Sequence, residues 1–324
     1  MVHFLQSISV VVPIVFVLAF GFCAQKFKAF GKDTNAIPTI NELVLTFALP
    51  PALFVGTIMV TREQLLGDLV LFAVLLVSLL IAYFVGFIVA KIVFKRNIVE
   101  GAIAGLAVSF SAGPFYGPAL LGSVFGNTQS GVAVSIISVV INVFIVPLAT
   151  VMIKTDLARQ NSTQKQSIAK LIGGSIYDAI FKTPFVWAPL LAFVLVFLGF
   201  HTPDVVNDSL DLIGKATAGV AVFVAGMTIA ANAFKLNGEV LLFSVMKNIA
   251  LPVLFVGIAL LFHMDKGSVI YNEGLLLAAL PSGPMIVLLA TRYKQYQQQA
   301  SSILATTTVG MLITITALIL IINP

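Results

Sequence analysis

The sequence is short of charge and nearly without cysteine and histidine. Only 10% of its 324 residues are Asp, Glu, Lys or Arg, against 59% that are hydrophobic, and the mean hydropathy is +1.08. A soluble domain cannot hide that much apolar surface, because its surface has to be covered with polar groups. The single Cys23 excludes an internal disulfide, and His3, His201 and His263 fall outside the apolar runs. Neither a metal cluster nor a Cys/His nucleophile can be assembled from them. All thirteen Asp and Glu residues lie in connections or near the ends of apolar runs. Without a buried carboxylate pair at depth, a cation/proton antiporter built on an acidic dyad and an intramembrane aspartyl protease are both disfavoured. No metal, cofactor or catalytic constellation is expected.

What the chain does have is apolar runs of about 20 residues, the length that crosses a bilayer as a helix. Ten spans are expected, at about 7–24, 41–59, 67–90, 100–125, 131–153, 184–200, 209–231, 239–262, 270–291 and 298–322. The first has no Lys or Arg before it and no small-residue cleavage pattern after it, so it reads as a span and not as a signal peptide. With the N-terminus outside, the inner connections hold 14 of the 18 basic residues, and the outer ones hold only Arg62 and Lys266. Basic residues collect on the cytoplasmic side, so both termini are expected outside, in a plasma membrane protein. The net charge of +5 is then a topological bias and points to no nucleic acid. The long inner connection, 154–183, contains "SIAKLIGGSIYDAIF", which reads as an amphipathic linker at the membrane surface.

That linker separates five spans, in residues 1–153, from five more, in 184–324. The halves match at one offset of 170 residues: Gly56 with Gly226, Gly113 with Gly283, and Pro114 with Pro284. An odd number of spans per half makes the second enter the membrane in the opposite sense. The expected fold is therefore an all-α polytopic membrane protein, with ten transmembrane helices in a 5+5 inverted repeat. Spans 4 and 9 carry the breakers, "SFSAGPFYGPALL" and "ALPSGPMIVLLA". Proline removes a backbone donor and glycine relaxes the helix, so helices 4 and 9 should be broken and should cross where protein or a cavity satisfies the freed groups. Half-helix N-termini pointing at such a cavity suit an anion.

Candidate ligands around the breaks are Ser109, Ser111, Gly113, Pro114 and Tyr116 in span 4, and Pro281, Ser282, Gly283 and Pro284 in span 9. Hydroxyls hold a carboxylate without adding charge, although each serine could equally bond back to its own helix. Asn142 in span 5 needs partners if buried, from a substrate or from a neighbouring helix. Lys247, beside Asn248 in span 8, could neutralise a substrate carboxylate, act as a gating charge, snorkel, or pair with an acid. Lys215 sits nearer a helix end and within i, i+4 reach of Asp211, where a local ion pair competes with a coupling role.

The chain resembles the auxin efflux carrier family, whose bacterial members include malate and malonate permeases. The resemblance rests on "FALPPALF" in span 2, "GPALLG" after the span 4 break and "AALPSG" in span 9, in this order across the whole chain. It implies a scaffold domain and a transport domain, an elevator-like movement, Pro114 and Pro284 as crossover prolines, and Asn142 as a substrate contact. Family members often carry an asparagine in the span 4 break, where this sequence reads Ser111, Ala112, Gly113, which points away from auxin as substrate. The expected function is secondary transport of a small organic anion, a dicarboxylate such as malate, malonate or oxalate, with an anion channel as the competing reading. A proton or sodium ion as coupling partner and a homodimer both stay open.

Overall fold

A computed structural model of the chain describes residues 2–31, 36–59, 61–125, 127–160, 173–174, 177, 181–182, 184–231 and 235–322. Among these residues every regular element is helical. The helices are α1 (Val2–Lys26), α2 (Ala36–Leu43), α3 (Leu49–Ile58), α4 (Arg62–Gly67), α5 (Leu69–Ile92), α6 (Ile98–Ser109), α7 (Gly113–Phe125), α8 (Asn127–Val139), α9 (Val146–Gln160), α10 (Pro184–Phe197), α11 (Asp204–Gly214), α12 (Ala216–Ala231), α13 (Gly238–Val245), α14 (Leu251–Leu261), α15 (Val269–Ala279), α16 (Met285–Tyr293) and α17 (Gln297–Ile322). Six continuous helical stretches are long and apolar enough to cross a membrane, and shorter apolar helices accompany them. The interfacial helix expected within 154–183 falls almost wholly outside the described residues.

The helices are apolar all round, as α5 illustrates. Leu71, Val74, Leu75, Leu79, Ala82 and Tyr83 are buried on one face, while Leu69, Val70, Ile81, Phe84, Val85 and Ile88 lie exposed on the other. An exposed apolar face of that extent belongs in lipid.

Three of the long stretches widen into a π-helix in their middle, at Val44–Ala48, Val140–Ile145 and Met246–Ala250. Each widening is followed within three residues by proline: Pro50 and Pro51, Pro147, and Pro252. A proline ring clashes with the carbonyl four residues earlier, and inserting one extra residue into the turn relieves it. The bulges leave Asn142, Lys247 and Asn248 projecting from locally distorted backbone.

The offset of 170 residues reappears in the element boundaries. Helices α13, α15, α16 and α17 each begin within two residues of the point 170 beyond the starts of α5, α6, α7 and α8. Helix α1 packs along α12, and α3 packs against α10 and α11; α5, α6, α9, α13, α14, α15 and α17 pack around the two breaks. Glycines allow the closest approaches. A Cβ on Gly226 would run into the Leu18 carbonyl of α1, and one on Gly21 into the Phe223 carbonyl of α12. Where α3 meets α8, a Cβ on Gly56 would stand 2.9 Å from the Gly131 Cα. Backbone cannot yield as a side chain can, so Gly226→Val is expected to abolish monodisperse protein in size-exclusion chromatography. Gly219→Val on the same helix, where a Cβ meets nothing within 4 Å, should leave the profile unchanged.

One polar cluster ties three helix ends together. Arg96 forks onto Glu239 with bonds of 3.0 and 2.6 Å, and the Tyr296 hydroxyl donates to Glu239 Oε1 at 2.8 Å. The bidentate carboxylate raises the Arg96 pKa further, and burial with Glu239 beside it pushes the Tyr296 hydroxyl up, so both stay protonated donors.

Candidate functional site

Helix α6 stops at Ser109 and α15 at Ala279, and the residues that end them, Phe110 and Leu280, are both extended, 170 positions apart. The two extended pieces cross antiparallel, bridged at Ser111 and Ser282, with the Ala112 amide donating to the Pro281 carbonyl at 2.9 Å. The chain then resumes as α7 and α16. Pro114 lies in the first turn of α7, and Pro284 immediately precedes α16. Proline fits there because the first N–H groups of a helix lack intrahelical partners anyway. The prolines thus start the second half-helices as much as they end the first. Gly283 is required by the crossing itself, since a Cβ would overlap the Phe110 ring.

Breaking two helices inside protein leaves the last carbonyls of α6 and α15 without donors. The serines of the crossing meet that need reciprocally. Ser111 Oγ donates to the Leu277 carbonyl at the end of α15, and Ser282 Oγ donates to the Ala107 carbonyl at the end of α6. Ala107 and Leu277 are themselves 170 residues apart, so each half-helix end is capped by the other's break. Lys247, 0% exposed, donates from Nζ to the Ala278 carbonyl at 3.0 Å. A cation at a helix C-terminus opposes the negative end of the dipole.

The other expected residues fall at different distances from this centre. Ser109 bonds back to the Gly105 carbonyl at 3.0 Å, and Asn142 Nδ2 to the Ser138 carbonyl of its own helix at 2.8 Å. Asn248 donates to the Thr307 carbonyl at 3.0 Å, and the Thr307 hydroxyl accepts from the Ser282 amide at 3.3 Å, so Asn248 supports the crossing from α17. Lys215 is far more exposed, at the turn between α11 and α12, and pairs with Asp211 at 2.7 Å.

A cavity of about 20 Å³ opens beside the crossing, lined by Tyr116, Ser282, Pro284, Asn41, Thr228 and Leu304 among others. One water needs roughly 10–15 Å³ on this measure, so the space takes a water-sized body and the helices must part to admit an organic anion. Tyr116 is 2% exposed, and its hydroxyl faces Thr308 of α17. Asn41 and Thr228, which belong to the α2 and α12 walls, are not predicted from the sequence. Their signal is weak: a single polar residue near the end of an apolar run, with nothing nearby to mark a site.

Residues 6–319 match the family described as Membrane transport protein. The chain is 29% identical over 303 residues to "Uncharacterized transporter YfdV" of Escherichia coli (strain K12), covering 93% of each chain, and equally to the protein of that name from Shigella flexneri. It is 24% identical over 229 residues, 71% of this chain and 69% of the other, to the "Putative malonate transporter" of Rhizobium meliloti (strain 1021). A match across nearly the whole chain, on a helical frame with several membrane-length spans, makes this protein a membrane transporter of the auxin efflux carrier family.

Proposed function

We propose that the protein is a secondary active transporter of a small organic anion, a dicarboxylate such as malate, malonate or oxalate, working by elevator-type alternating access. The observation that carries this is the reciprocal capping at the crossing. Ser111, Ser282 and Lys247 already occupy the negative ends of the half-helices. That leaves the N-termini of α7 and α16 as the positive dipole ends at the crossing, and such ends attract carboxylates. Two helix N-termini suit the two ends of a dicarboxylate, and the Tyr116 hydroxyl, which lines the cavity beside them, supplies a further donor. The ammonium of Lys247 has three donors and gives one to Ala278, so it can also balance substrate charge. A relative named as a malonate transporter agrees with this class.

In this reading the ten helices form a 5+5 inverted repeat, 1–153 and 184–324, with both termini outside the plasma membrane. The group containing α1, α3, α10, α11 and α12 is the scaffold, against which the group around the crossing slides and parts the closed cavity. The test is counterflow uptake into proteoliposomes with labelled malate, malonate, oxalate and indole acetate, without an ion gradient. Saturable exchange of one dicarboxylate is expected. No exchange with any of the four, together with rapid anion leak, would replace the carrier with a channel.

A further inference from the structure

Glu273 is buried away from the crossing chemistry. It lies in the second turn of α15, about 9 Å along the axis from the end of that helix, and is only 4% exposed. Its Oε1 is buried without a hydrogen-bond partner. Ser130 of α8 bonds the carboxyl group, and Asp68, half-buried at the start of α5, stands one turn before Leu71, whose Cδ1 packs directly on Gly274 beside Glu273.

Among the described residues no ion pair joins a cation to either carboxylate, and Arg62 of α4, the cation that packs nearest Asp68 with Glu63 beside it, is exposed. The other titratable groups on helices packed against α15 are Tyr83 and Lys91 of α5, Tyr116 of α7 and Lys247, while α8, α14 and α17 carry none. Lys247 is engaged at the far end of α15, Tyr83 donates to Met152 Sδ, and Lys91 lies at the opposite end of α5 from Asp68. Two neighbouring carboxylates, one of them buried, cannot both ionise cheaply, and one proton removes both the repulsion and the desolvation cost of the second charge.

We propose that Asp68 and Glu273 form a proton-binding site that couples anion transport to proton movement. The site rests on the transporter reading above and names its coupling ion. Helices α5 and α15 belong to the group around the crossing, so a proton bound there moves with the substrate site. The charge bias puts the pair on the outer side, so the proton is taken from outside water and released inside after the bundle has moved.

The experiment uses the full chain in proteoliposomes and whichever dicarboxylate undergoes counterflow. With acid outside, the wild type is expected to accumulate the anion above its equilibrium level, and a protonophore should abolish this. Glu273→Gln should keep counterflow exchange, which moves no net proton, and lose at least about tenfold in gradient-driven accumulation. Should that variant fail to reach the membrane, Asp68→Asn, at a half-buried helix start where the side chain caps nothing, should show the same split. Wild-type accumulation that ignores the proton gradient, accumulation driven by sodium alone, or a Gln variant that still accumulates would each overturn the site. Absence of exchange in the wild type would instead overturn the transporter reading.

Discussion

A Ser111→Ala, Ser282→Ala double variant is expected to insert into the membrane, unfold at a clearly lower temperature than the wild type, and lose measurable anion exchange. Each hydroxyl donates to a half-helix carbonyl beside a break, at Ala107 and at Leu277, where the Leu280 amide adds only a long bond of 3.4 Å. Orphaning a buried carbonyl costs about 1–3 kcal/mol. The two single variants should be destabilised to similar extents, because the bonds are reciprocal. Their sum should differ from the double variant, since both act on one bridge. Ser109→Ala is the control, because that hydroxyl only bonds back to Gly105, and its stability should stay within about 0.5 kcal/mol of wild type. Thermal unfolding in detergent, followed by counterflow, separates these outcomes. A double variant with wild-type melting and exchange would remove the serines from any role in holding the crossing.

Lys247→Met should leave a folded protein whose exchange has fallen by about tenfold or more, equivalent to about 1.4 kcal/mol. Methionine keeps most of the volume of a fully buried side chain but withdraws the donor from the Ala278 carbonyl and the positive charge from the end of α15. Losing a buried cation also removes its desolvation cost, so stability should change little while the set of the crossing changes. Lys247→Arg should do worse in stability, because a guanidinium fork does not fit where the ammonium is enclosed on every side. Exchange at wild-type rates in the Met variant would show that neither charge nor cap at this position matters to transport.

Much of the crossing is legible in the chain because its causes are local. A Gly-Pro pair in the middle of an apolar run, as at Gly113–Pro114 and Gly283–Pro284, weakens the helix locally and favours a new start, and an offset that matches Gly113 with Gly283 needs no coordinates to be seen. The π segments are legible in principle, since each anticipates a proline by a few residues, although hydropathy alone hides them. Glu273 is harder. It stands at the start of a half-helix of 11 residues, so by position along the chain it resembles a connection residue, and only the packing of α5 and α8 over it makes it buried.

By itself, then, the sequence determined the membrane class, the two breaks and their pairing, because each depends on composition or on a residue whose backbone preference is its own. Tertiary structure alone decided that Ser111 serves α15 and Ser282 serves α6, that Lys247 ends on a carbonyl instead of an acid, and that Asn142 bonds within its own helix. It also decided which polar residues share the cavity. A hydrogen bond between segments more than 160 residues apart depends on where two backbones are brought together. That placement comes from the packing of the helices as a group, which no single stretch of sequence carries.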